Sequence, residues 1–195
     1  HKVGTELEGI QIVSPQDITS FDVVKVFIAS EFFEQIEKQL VDDLKLPPEK
    51  VEVLPTSIIK PMSMGDSEET LKTAEFILLT VCRFLEEQKV PYHIDAGTLL
   101  GIYRDGGLIP WDDDLDIAVS SEFTEQAKFA LEACLKEIAD YTGKSWQVDV
   151  HRANQAFGAV KQGDIRGIKL KCVDTQAKLP MLDIFLKYID GDTMD

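Results

Sequence analysis

Residues 109–118 read Ile-Pro-Trp-Asp-Asp-Asp-Leu-Asp-Ile-Ala, which puts four carboxylates within five positions and apolar residues on both sides. Side chains on a β-strand alternate between faces, so Asp114 and Asp116 share one face. Two carboxylates on one face repel each other and lose hydration, and a fold keeps such a pair when something cationic sits between them. The usual occupant is a divalent ion, Mg²⁺ or Mn²⁺, held by one or two carboxylates together with substrate phosphates. Asp112 is either a further ligand or a support behind the first ones. Asp113 would face the opposite way if the strand began that early, and is left out. The competing reading is an acidic surface turn over Trp111–Asp114, but Leu115, Ile117, Ala118 and Val119 have the pattern of buried residues. A twelve-residue calcium loop from Asp114 to Glu125 fails, because Ala118 and Val119 stand where an oxygen ligand and a glycine are needed.

Other groups fall around this run. Asp183, in Met181-Leu182-Asp183-Ile184-Phe185, is a lone acid inside a strand-like stretch, which is unexpected without a partner. Its plain alternative is an Asp hydrogen-bonded at a strand end. Gly97 and Thr98 form a predicted turn after a strand, where backbone amides can approach a phosphate closely and the hydroxyl adds a donor. Arg104 either binds phosphate in a bidentate manner or pairs with a neighbouring Asp. Lys169 and Lys171 share one strand face and either offset phosphate charge or form a solvated face. His93 and His151 have no partner at metal-ligand spacing. No phosphate loop of the Walker type, no His-Glu-x-x-His and no Ser-His-Asp signature is readable.

The net charge of −15 argues against a nucleic-acid binder, which needs a basic face, and against attraction to anionic membranes. With 44% hydrophobic and 28% charged residues the 195-residue chain has ordinary globular composition. No apolar run approaches the length of a membrane span. Cys82, Cys134 and Cys172 are odd in number and widely spaced, which suggests neither a disulfide framework nor a zinc site. Cys82 and Cys134 fall in helical patterns and read as core.

Two units are predicted. In residues 1–60, Val23–Ala29 and Val51–Leu54 read as parallel strands around a helix from Glu31 to Leu44, with Phe32, Ile36, Leu40 and Leu44 as its apolar stripe. This is a partial Rossmann-like unit without a glycine-rich phosphate loop, and it receives no catalytic role. Residues 61–65 read as a linker. In residues 66–195, Asp66 is the expected cap of a helix carrying Leu71, Ala74, Leu78, Val81 and Leu85 on one stripe, widened by Ile77 and Phe84. Tyr92–Asp95 then reads as a strand, followed by the acidic strand and a helix over Glu122–Ala139. Three β-like runs (146–150, 157–161 and 168–173) and the Asp183 strand close the series. The fold class is α/β (α+β), a mixed sheet backed by helices.

The stretch Asp95-Ala96-Gly97-Thr98-Leu99-Leu100-Gly101 through Arg104, then Ile109–Ile117, then Leu182-Asp183-Ile184-Phe185, resembles the LicD family. These are phosphocholine transferases of bacterial surface glycans, related to fukutin and fukutin-related protein. The resemblance implies the nucleotidyltransferase fold over roughly residues 66–190, with a domain expected to be truncated at its C-terminus. It implies a metal held by Asp114, Asp116 and Asp183, with Asp183 as ligand, as general base toward an acceptor hydroxyl, or as both. It implies phosphate binding around Gly97, Thr98, Arg104 and Lys169. The partners implied are a CDP-alcohol donor of the CDP-choline type and a glycan acceptor on lipopolysaccharide or teichoic acid, with CMP leaving. The expected compartment is the cytoplasm, or the Golgi lumen in a eukaryote. Two alternatives stay open: a ribitol- or glycerol-phosphate transferase or nucleotidyltransferase on the same scaffold, and a non-catalytic metal- or nucleotide-binding module.

Overall fold

The chain folds as two units, residues 1–61 and 62–195. The structure, a computed structural model, describes residues 3–7, 9–30, 32–55, 58, 60, 62–190 and 193–194, without the side chains of 7, 190, 193 and 194.

In the first unit, β1 (Glu6–Leu7) and β2 (Ile10–Gln11) form a small hairpin. β3 (Val26–Ile28) and β4 (Val51–Val53) pair in parallel, as the strand–helix–strand pattern requires. Between them lie α1 (Phe33–Lys38) and a π-turn over Gln39–Asp43. Ile28, Leu40 and Leu46 make a small core. Phe32, expected on the buried stripe, caps the helix instead and is exposed.

In the second unit, α2 (Glu68–Glu87) precedes β5 (Tyr92–Ile94), α3 (Ala96–Asp105), β6 (Asp114–Ser120), α4 (Thr124–Thr142), β7 (Trp146–Arg152), β8 (Ile165–Cys172) and β9 (Met181–Lys187). Two short strands, β10 (Ile189–Asp190) and β11 (Thr193–Met194), pair with each other. The main sheet has the order β5-β6-β9-β8-β7. Only β6 and β9 run parallel; the other pairs are antiparallel. This is the mixed sheet expected from the pattern.

Alternation sorts the sheet into two faces. Leu115, Ile117 and Val119 of β6, Leu182, Ile184 and Leu186 of β9, and Ile168 and Leu170 of β8 are buried. They join Ala74, Ile77, Val81 and Leu85 of α2 and Ala127, Ala130, Leu131, Cys134 and Ile138 of α4 in one core. Burying side chains of this size stabilises by about 1.5–3 kcal/mol each. The opposite face carries the charges. No described helix is long and apolar enough to cross a membrane.

Several local expectations are corrected. Of the expected linker 61–65, residue 61 lies outside the described residues and 62–65 are packed: Met62 and Met64 are buried, and the Met64 and Gly65 amides donate to the Asp112 and Pro110 carbonyls. α2 is capped by Ser67, whose hydroxyl accepts from the Thr70 amide at 3.0 Å, while Asp66 closes a capping box with Ser63 one turn earlier. Residues 157–161 form no strand. Phe157 and Val160 exchange hydrogen bonds across a tight reversal at Gly158, which has φ of 50°.

Candidate metal and phosphate site

The site is built where β5, α3, β6 and β9 meet. Asp95 follows β5 and caps α3, its side chain accepting from the Ala96 amide at 3.0 Å. Ala96 has φ of 42°, the left-handed region that costs a non-glycine residue strain of about 1–3 kcal/mol. This kink delivers the first turn of α3 onto β6. Gly97 and Thr98 therefore lie in a helix rather than in the expected turn. Asp is among the strongest N-cap residues, and Asp95 was the sequence signal for that helix.

Thr98 is buried, and its hydroxyl oxygen accepts from the Asp116 amide at 2.9 Å. The Asp95 amide donates to the Asp116 carbonyl at 3.0 Å. These bonds pin the acidic strand to the start of α3. Gly97 has a different reason: a Cβ there would overlap a carboxylate oxygen of Asp112. Gly101 is needed for packing, since its Cβ would lie 2.6 Å from the Gly107 carbonyl.

The parallel register sets Asp116 directly opposite Asp183. Both are 6% exposed, which is rare for acids without a compensating charge. Carboxylate oxygens of Asp114, Asp116 and Asp183 lie within 4.8 Å of one another. One Asp183 oxygen accepts from the Lys169 ammonium at 2.7 Å. Its other oxygen, Oδ1, is buried and has no hydrogen-bond partner among the described residues. Burial pushes the Asp116 carboxyl up to about 7, and the Asp114, Asp112 and Asp183 carboxylates push in the same direction, against a hydrogen bond from the Gly97 amide. An unsatisfied buried oxygen and a carboxylate held near neutrality are what a site for a hard cation leaves when only its own ligands are considered. An all-oxygen donor set fits Mg²⁺ or Mn²⁺ rather than a soft metal.

The other candidate residues divide. Lys169 is brought into the site, opposite Asp183 in the β8–β9 register, and is no solvated bystander. Lys171 pairs with Asp149 on β7 and holds that carboxyl below its ordinary value. Arg104 spends its fork on Asp105, at 2.9 and 2.6 Å, and lies 6.0 Å over the Trp111 ring. It touches none of the triad. Asp112 reaches the site over Gly97. Asp113, left out on strand alternation, offers an oxygen within 4.8 Å of those of Asp112 and Asp114, because the strand begins only at Asp114. Sequence reasoning also missed Lys187, which bonds Asp95 at 3.0 Å. Burial alone would raise the Asp95 carboxyl; Lys187 and the Ala96 amide hold it below its ordinary value.

Residues 89–194 match the family model described as LicD/FKTN/FKRP, nucleotidyltransferase domain. The chain belongs to this family. Over 52 residues it is 36% identical to the lipopolysaccharide cholinephosphotransferase LicD of Haemophilus influenzae, a match covering 25% of this chain and 20% of that protein. Over 38 residues it is 50% identical to the uncharacterized protein RP689 of Rickettsia prowazekii, covering 20% of this chain and 14% of that one. The chain thus spans a fifth or less of the length of these curated relatives. Among solved structures, the antibiotic-resistance factor ANT(2'')-Ia aligns with 64% of this chain and 52% of its own, at 14% identity and a TM-score of 0.39.

Proposed function

We propose that the LicD domain moves a phospho-alcohol unit, of the phosphocholine type, from a CDP-alcohol to a hydroxyl of a cell-surface glycan, with release of CMP. The observation that carries this reading is the buried Asp116–Asp183 pair in register, with one Asp183 oxygen unsatisfied. Family membership and the likeness to a protein named lipopolysaccharide cholinephosphotransferase favour phosphocholine and a glycan.

Mg²⁺ or Mn²⁺, held by Asp114, Asp116 and Asp183 with Asp112 beside them, would neutralise the charge that builds on the diphosphate. Asp183 would orient the acceptor hydroxyl and take its proton as the new oxygen–phosphorus bond forms. The bond from that phosphorus to the CMP oxygen breaks, and CMP carries the electron pair away. Thr98 and Asp95 keep Asp116 in place through its backbone. Gly97 leaves room for Asp112 at the helix N-terminus, where amides favour phosphate oxygens. Lys169 would offset phosphate charge when it leaves Asp183. The same reading places the domain in the cytoplasm, or in the Golgi lumen of a eukaryote.

Thermal unfolding tests it, with and without Mg²⁺ or Mn²⁺, alone and with CDP-choline, CDP-ribitol, CDP-glycerol, CTP or a UDP-sugar. A ligand that binds only the folded state raises the midpoint. The expected result is a metal-dependent rise with CDP-choline, followed by CMP release on adding a glycan acceptor, both lost in Asp116→Asn. A rise with CDP-ribitol or CDP-glycerol instead would reassign the donor. No rise with any nucleotide would contradict a transferase and favour a non-catalytic module.

A further inference from the structure

One row of side chains beyond the acids, the register aligns Ala118 of β6, Phe185 of β9, Gly167 of β8 and His151 of β7. Phe185 therefore stands between a methyl group and no side chain at all. It is 40% exposed on the open face, two residues from Asp183. A side chain at 167 would stand on the same face, and its Cβ would sit 3.3 Å from the Ile184 carbonyl. Phe185, Gly167, His151, Arg166, Lys169 and Asp183 wall a cavity of about 230 Å³.

Arg166 reaches this cavity through a break in the ladder. His151 pairs with Gly167 and Arg152 with Ile165, so Arg166 is the extra residue of a β-bulge. A bulge re-aims a side chain that alternation would have sent to the other face. The Arg166 guanidinium lies 4.4 Å from the Phe157 ring centre and has no carboxylate partner among the described residues. The cavity thus combines the exposed Phe185 ring, with the Lys187 ammonium 5.9 Å from its centre, a guanidinium without a carboxylate partner among the described residues and a wall formed by Asp183.

We propose that this cavity is the acceptor subsite, and that it takes a sugar ring bearing an anionic substituent. The ring's C–H face would stack on Phe185, a hydroxyl would reach Asp183, and the phosphate or carboxylate would meet Arg166. The sidedness supports this. The start of α3, with Gly97 over Asp112, lies on the β5–β6 side of Asp116, and the cavity lies on the β8 side of Asp183. In phosphoryl transfer the attacking and leaving oxygens lie roughly in line on opposite sides of phosphorus. A donor at α3 and an acceptor at Phe185 satisfy that requirement. This inference rests on the transferase reading for its orientation.

Saturation-transfer NMR on the full chain with Mg²⁺ tests it, using methyl galactoside, galactose 6-phosphate and galacturonate as probes and CMP as the reference ligand. Wild type should saturate the charged sugars most strongly. Phe185→Ala should weaken all three sugars by about fivefold or more and leave CMP unchanged. Arg166→Gln should weaken only the charged sugars, and a loss confined to one of them separates phosphate from carboxylate. Phe185→Leu keeps the apolar volume without the ring, and gives the same readout if the alanine variant unfolds. No sugar signal with wild type overturns the proposal. So does a Phe185→Ala variant that loses CMP and keeps the sugars, which would make Phe185 a nucleoside platform. If sugars bind through Phe185 while neither Mg²⁺ nor CMP binds, the transferase reading fails and the sugar subsite stands.

Discussion

The two faces of β6 and β9 are made from alternate residues of the same seven-residue strands, yet they obey opposite rules. On the covered face Leu115, Ile117, Leu182 and Ile184 are fully buried and contribute stability through apolar contact. On the open face Asp114, Asp116 and Asp183 crowd like charges together, and Asp183 keeps an oxygen without a hydrogen-bond partner among the described residues. The first face holds the fold. The second is destabilised by its own side chains, and the helix-backed core supplies the surplus that tolerates it. One period-2 pattern thus separates folding from chemistry at the resolution of single residues.

Substitutions should break this contrast in a definite order. Leu182→Ala leaves a cavity in the core and should lower unfolding free energy by about 2–5 kcal/mol, read by urea titration, with metal binding reduced only as the fold loosens. Asp116→Asn should do the reverse in the metal-free chain. Between the ordinary value of 3.8 and about 7, the folded chain holds a proton on Asp116 that the unfolded chain has released. Metal-free stability should therefore be complete below the first value and fall as pH rises through the second, by up to about 4 kcal/mol. Asp116→Asn should flatten that slope across pH 4–8 and raise stability at pH 8. Saturating Mg²⁺ should flatten it in wild type only.

Thr98→Val removes the acceptor for the buried Asp116 amide, and should cost about 1–3 kcal/mol together with weaker metal binding. Gly97→Ala sits at the boundary between the faces. It should change stability by less than about 1 kcal/mol, because only a carboxylate tip must move, but it should weaken Mn²⁺ binding by about tenfold. Calorimetry on the folded variant separates the two quantities.

Legibility in the sequence followed the range of the interactions. The apolar alternation and the helix stripes announced the sheet and its covered face, and alternation alone put Asp114 and Asp116 together. Asp183 looked out of place in its strand, but its position opposite Asp116 depends on a parallel pairing between distant segments, which only the family resemblance suggested. Arg104 allows two readings from the sequence, and its immediate neighbour Asp105 takes the guanidinium. Lys169 could be placed only once β8 and β9 were in register. Asp113 is lost by assuming too early a strand start, and the bulge at Arg166 has one faint signal beside it, Gly167, a glycine inside a strand pattern.

The most direct measurement is Mn²⁺ binding at pH 8, followed calorimetrically in wild type and in Asp183→Asn. A saturable site in wild type, weakened about tenfold or more in the folded variant, is the predicted result. Equal binding in both, or none in wild type, would contradict the claim that the open face of this sheet is a cation site.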